Sequence, residues 1–104
     1  MKPLIVMTTV VENFDARALA TQIVEEHLAA CVNIIPNLYS IYRWQGSVAG
    51  DYEQLLLIKT TEERLEALQA TLLSRHPYEV PEFVVIPIDR LDGPYLAWFN
   101  SAVG

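Results

Sequence analysis

Few side chains in this sequence can bind an ion, move a proton or attack a substrate, and they are scattered along it. His76 is the strongest single candidate. A neutral imidazole is the commonest metal ligand and titrates near physiological pH, and Glu79 and Glu82 follow it closely. The same residue also reads as a loop histidine bonded to backbone. Cys31 offers a thiolate ligand or a nucleophile, or else a small buried apolar side chain. Its neighbours Ala29, Ala30 and Val32 do nothing to lower its pKa. His27 falls on an apolar helical stripe and reads as a packed histidine. Lys59 ends an apolar strand beside Thr60 and Thr61, where a helix starts. There it can hold an anion next to free backbone N–H groups, or pair with Glu82 across the sheet. Tyr42, Trp44, Tyr95 and Trp98 can stack a ligand or anchor an interface.

Several chemistries find no support. No Cys-x-x-Cys or His-x-x-x-His spacing occurs, so no metal motif is visible. Only four glycines are present, none in a phosphate-cradling loop. No serine–histidine–acid set is discernible, and the expectation is a binding protein, not an enzyme. The net charge of −6 repels phosphate backbones, which argues against nucleic acid as a partner. One cysteine cannot form an internal disulfide, no secretory signal is seen, and no run approaches the ~20 apolar residues of a membrane span. A cytoplasmic location is the expectation.

The elements that must position these residues centre on the stretch 31–60. It reads as two strands, 31–45 and 51–60, joined by a turn around residues 46–51. Aromatic and β-branched residues crowd both strands and suit a pleated surface. Residues 37–45 alone would span about 30 Å at ~3.3 Å each, long for a small domain. Strand side chains alternate in direction. Tyr42 and Trp44 therefore share one face and Tyr39 and Ile41 the other, so the arm is apolar on both sides. Pro36 cannot donate to a ladder and marks an edge, a bulge or a bend. Of 104 residues, 52% are hydrophobic and 19% charged, against ~25% charged in typical domains. The surplus predicts association of a single domain, residues 1–104, with other copies of itself.

Before the arm, residues 4–11 form a near-continuous β-branched run, as in a strand covered on both faces. Asn13 or Asp15 caps a helix with Ala16, Leu19, Ala20, Ile23, His27 and Leu28 on its stripe, ending near Ala29-Ala30. After the arm, Thr60 and Glu63 have capping-box spacing. Leu65, Leu68 and Leu72 stripe a second helix that Pro77 stops near Arg75. The 76–82 loop is bracketed by prolines, and residues 83–88 make a fourth strand. Pro94 opens a short, heavily apolar final helix. The order β-α-β-β-α-β plus a helix is an α+β, ferredoxin-like sandwich, with a long hairpin between its second and third strands.

Five stretches together resemble the CutA divalent-cation tolerance family. They are Ala29-Ala30-Cys31-Val32-Asn33-Ile34-Ile35-Pro36, Tyr42-Arg43-Trp44-Gln45-Gly46, Ile58-Lys59-Thr60-Thr61, His76-Pro77-Tyr78-Glu79-Val80-Pro81-Glu82 and Tyr95-Leu96-Ala97-Trp98. They keep one register over nearly the whole chain. The resemblance implies a homotrimer with PII-like architecture and a role in copper and other divalent-metal tolerance or response. It also implies binding of Cu2+, another divalent cation or a small ligand at clefts between subunits. The family's metal positions fall on Met7, Arg75 and His76, of which His76 alone keeps the family residue. Met7 suits Cu(I) better than Cu(II), and Arg75 repels a cation. Lys59, His76, Tyr78 and Glu82 are implied to converge on a cleft, and Cys31, Tyr42 and Trp44 complete the candidate ligand set. The alternative is a PII-like signalling adaptor that answers to a small anionic metabolite. On either reading the partners are further copies of the chain and a small ligand, with no nucleic acid and no membrane.

Overall fold

A computed structural model describes residues 2–104. The chain runs β1 (Pro3–Val11), α1 (Ala16–Glu25), β2 (Cys31–Trp44), β3 (Ser47–Thr61), α2 (Glu62–Arg75), β4 (Val84–Pro87) and α3 (Gly93–Val103). The four strands form one sheet in the order β2-β3-β1-β4, and every neighbouring pair is antiparallel. This is an α+β fold with three helices.

The burial pattern of β1 shows how the layers form. Leu4, Val6, Thr8 and Val10 are buried, while the residues between them are half-buried. Val6 and Val10 pack with Leu56 and Ile58 of β3 against Leu19 and Ile23 of α1 and Leu68 and Leu72 of α2. Both helices therefore cover one face. The other face, which carries Ile5, Met7 and Thr9 with Leu55 and Leu57, lacks such a layer. Of its members, Ile35 is 42% exposed, Val84 44% and Ile86 39%. Half the sheet is an interior strand's sequence without an interior strand's cover.

β1 pairs with β3 only between Pro3–Thr61 and Val11–Glu53. Beyond that, β2 and β3 continue as a two-stranded arm. The molecule measures 45 × 25 × 23 Å with a radius of gyration of 14.4 Å, above the ~13 Å of a compact chain this long. The register slips between Ile35 and Leu38, where Pro36 lies on the sheet's edge strand and Asn37 takes φ 63°. The bulge places one extra residue on β2.

The turn is tighter than the sequence suggested. Gln45 and Gly46 both have positive φ, 50° and 82°, as a two-residue type I′ hairpin requires. Residues 47–50, expected as turn, are paired strand. Ser47–Asp51 match Ser40–Trp44 of β2 in register.

Four local expectations are corrected. Helix α1 starts on Asp15, whose carboxylate accepts from Ala18 N–H at 3.1 Å, but ends at Glu25 and not near Ala29. Leu28 N–H bonds Ile23 C=O and His27 N–H bonds Val24 C=O, a Schellman closure with His27 at φ 58° in the position glycine usually takes. His27 is thus exposed, not packed, and its Nδ1 lies 3.3 Å from Ala102 O. The capping box on Thr60 does not form. Thr60 stays in the strand and donates to Leu28 C=O at 2.7 Å, while Thr61 is the N-cap and makes no side-chain cap bond. The fourth strand is shorter than expected, and Phe83 precedes it.

Candidate functional site

The sheet's uncovered face ends in a cleft of about 590 Å3 between the arm and the 76–82 loop. Each wall follows from strand parity. Tyr42, Trp44 and Ser40 of β2 share a face with Asp51 and Glu53 of β3 and line one side. Thr9 and Val11 form the floor. Tyr78, Glu79 and Glu82, with Pro77 and Val80, close the other side. None of these lining residues is basic.

His76 fixes the loop wall. β4 pairs with β1 only as far as Met7, so the backbone of β1 beyond it needs other partners. The Thr9 carbonyl accepts from His76 Nε2–H at 3.0 Å, and His76 Nδ1 accepts from Tyr78 N–H at 3.1 Å. A carbonyl can only accept and an amide N–H can only donate, so the imidazole is the neutral Nε2–H tautomer. Thr8 Oγ1 lies 3.0 Å from the same Nε2. Burial pushes the His76 pKa below its ordinary 6.5, against smaller opposing effects of the Thr9 bond and Glu53. Pro77 bars a further helical turn, which leaves His76 extended as the C-cap of α2.

Two phenol–carboxylate pairs set the rest. The Tyr78 hydroxyl donates to Glu53, which is only 6% exposed, and the Tyr42 hydroxyl donates to Asp51. Desolvation first, then the bond to Glu53, pushes the Tyr78 phenol well above its ordinary range. The bond to Asp51 raises Tyr42. Glu82 is raised by desolvation and by the nearby charge of Glu53.

Of the residues named from sequence, Tyr42, Trp44, Tyr78 and Glu82 meet in this cleft. Cys31 and Lys59 do not. They face each other across β2 and β3, eight positions along β3 from Asp51, or about 26 Å at ~3.3 Å per residue. The Lys59–Glu82 ion pair does not form. Lys59 Nζ lies 5.9 Å from the centre of the Tyr95 ring, and the ion pair among the described residues is Lys2–Glu62 at 3.9 Å. Tyr95 packs on Trp98 within α3, apart from Tyr42 and Trp44.

The three family metal positions do not present a donor set within one chain. Arg75 donates to Gln22 on α1, Met7 sits on β1 between Leu57 and Val84, and His76 has both nitrogens engaged. Among the described residues no group of three His, Cys, Asp or Glu gathers. Sequence reasoning missed Thr9, Asp51 and Glu53. The signal for Glu53 was its parity with Leu55 and Leu57, an acid on the same strand face as two leucines.

Fold and cleft together define a small α+β protein with one open sheet face and an acidic, aromatic cleft at its margin. The model of the CutA1 divalent ion tolerance protein family matches residues 4–102, and the chain belongs to that family. The divalent-cation tolerance protein CutA of Thermus thermophilus is 48% identical over 96% of this chain and 97% of its own. The solved structure of that organism's protein superposes with a TM-score of 0.92 at 47% identity, covering 98% and 99% of the two chains. The chloroplastic CutA of Arabidopsis thaliana is 44% identical over 96% of this chain, which spans 56% of the plant protein. A structure from Archaeoglobus fulgidus, described as a periplasmic CutA, has a TM-score of 0.92 at 28% identity over 98% and 99% of the chains. These last two overturn the cytoplasmic expectation. An address is carried by a leader segment separate from the fold, and relatives with this fold go to different compartments. Among the described residues no helix is long and apolar enough to cross a membrane.

Proposed function

We propose that this chain is a homotrimeric divalent-metal tolerance or response protein that holds copper, another divalent cation or a small ligand at clefts between subunits. The observation that carries the reading is the open apolar face with a cleft at its edge. Monomers rarely leave a large contiguous apolar surface wet, Ile35, Val84 and Ile86 are exposed on this face, and a ferredoxin-like, PII-like trimer would turn three such faces inward. The antiparallel order with both core helices on one side supports that sandwich. Residues 1–104 then act as one domain, and the role is binding, not catalysis.

A metal would need donors from more than one subunit, since the described residues of one chain gather no cluster of three. His76 joins them only by releasing Tyr78 N–H from Nδ1. The adaptor reading, with a small anionic metabolite, is disfavoured in this cleft because no lining residue is basic. Copper calorimetry on the parent and on His76→Ala tests the metal site. Saturable heat in the parent that weakens in the variant is expected, and equal, negligible heats would remove it.

A further inference from the structure

We propose that the cleft between the arm and the 76–82 loop is a site for a small organic cation, an alkylammonium, in place of a bare metal ion. The inference deepens the preceding one and rests on its reading of the cleft as a ligand site. Volume is the first ground. About 590 Å3 falls within the ~300–1,000 Å3 of small-molecule sites and far exceeds what one ion fills. Charge is the second: the lining includes Asp51, Glu53, Glu79 and Glu82 and no base.

The third ground is how the donors are already used. Asp51 and Glu53 each hold a phenol O–H, so neither is free to wrap an ion with all its lone pairs. A hard divalent cation needs about six oxygens converging at short range, and among the described residues no three-residue group of His, Cys, Asp or Glu gathers. Glu79 and Glu82 differ: among the described residues neither carboxylate holds a phenol. The fourth ground is the wall. Tyr42 is 39% exposed and Trp44 48% exposed, both on the cleft side of the arm. Aromatic faces attract cations, most strongly when desolvated. A hydrated metal ion gains nothing from Trp44, Val11 and Val80, whereas an alkylammonium uses both these walls and the carboxylates.

Calorimetry of the full chain with tetramethylammonium chloride, against tert-butanol as an uncharged ligand of similar shape and sodium chloride at matched ionic strength, tests this. Copper is titrated in parallel. Saturable binding of the ammonium is expected, about tenfold tighter than the alcohol. Glu82→Gln should weaken it several-fold without lowering the melting temperature of the free protein, since the fold disfavours the ionised carboxylate. Trp44→Leu should weaken it too, with fluorescence of the Trp98→Phe variant reporting Trp44 directly. Equal affinity for ammonium and alcohol overturns the proposal, as does an unaltered affinity in Glu82→Gln. Copper binding with no ammonium heat up to about 10 mM overturns it and leaves the metal reading standing. Silence towards both removes the two together.

Discussion

His76 and Tyr78 show how a loop becomes a wall. A neutral imidazole links the Thr9 carbonyl to the Tyr78 amide, and the Tyr78 phenol then reaches Glu53. Removing that phenol strands a nearly buried carboxylate. Tyr78→Phe is expected to cost about 1–3 kcal/mol of stability, and pairing it with Glu53→Gln should recover part of the loss in a double-mutant cycle followed by chemical denaturation. The imidazole carries a pH signature of defined sign. Its folded pKa lies below the ordinary 6.5, so between those values the unfolded chain binds more protons and stability falls as pH drops. Glu82 works oppositely. Its folded pKa is raised above the ordinary 4.5, so protonation in the window above 4.5 favours the fold as pH drops. His76→Gln should flatten the fall of the melting temperature just below 6.5 and leave the Glu82 window intact. An unchanged profile would show that His76 contributes nothing to the acid side. His76 was legible as the residue of interest, but its partners were not. The Thr9 carbonyl and Tyr78 amide are backbone groups, and sequence carries no sign of which backbone group a loop side chain will meet.

At the scale of elements, the long hairpin was legible because alternation along 31–60 leaves no other structure for it. Its turn was misplaced because Gly50 looks like loop. In the structure Gly50 is a strand residue beneath the Tyr39 ring, where an added Cβ would fall 2.7 Å from Cζ. The true turn rests on Gln45-Gly46, and glutamine is an unusual residue for a positive φ. Gln45→Asn should therefore stabilise the arm by a few tenths to about 1 kcal/mol, while Gly46→Ala should destabilise it by about 1 kcal/mol. Thermal melts of the two variants beside the parent check both signs, and like signs would show that the tip is not held in this turn. The end of α1 was misread for a related reason. The apolar stripe continues through Leu28, which is buried at 7% exposure, but the chain reverses at His27 through a backbone closure that a histidine rarely provides. Periodicity reports which residues are buried, not whether a helix connects them. Within one chain Cys31 and Lys59 lie apart from the cleft. Their motifs flank the arm's base in sequence, and only the register shows how far the base lies from the tip.

On the scale of the molecule, the sheet has a wet apolar face that its own helices cannot reach, and an arm that leaves the body altogether. Phe99 and Val103 of α3 bury against Ala30 and Leu91, so the last helix makes its own small core and leaves Trp98 47% exposed and Tyr95 37% exposed. Covering the face costs association entropy. A few side chains of leucine size, each worth ~1.5–3 kcal/mol on full burial, offset that readily. If the face is what joins the subunits, light scattering should give a mass near three times 11.8 kDa, and the melting temperature should rise with protein concentration, as it does for any fold linked to assembly. Leu57→Glu places a carboxylate at the centre of the face, where Met7 and Asn33 flank it in register. Burying that charge unpaired is prohibitive, so the variant should fall to a single-chain mass or aggregate. Gln69→Glu, exposed on α2 away from the open face, should keep the parent's mass. A well-folded 11.8 kDa parent at micromolar concentration would show that the sheet stays uncovered in solution, and the cleft at its margin would then have to bind its ligand within one chain.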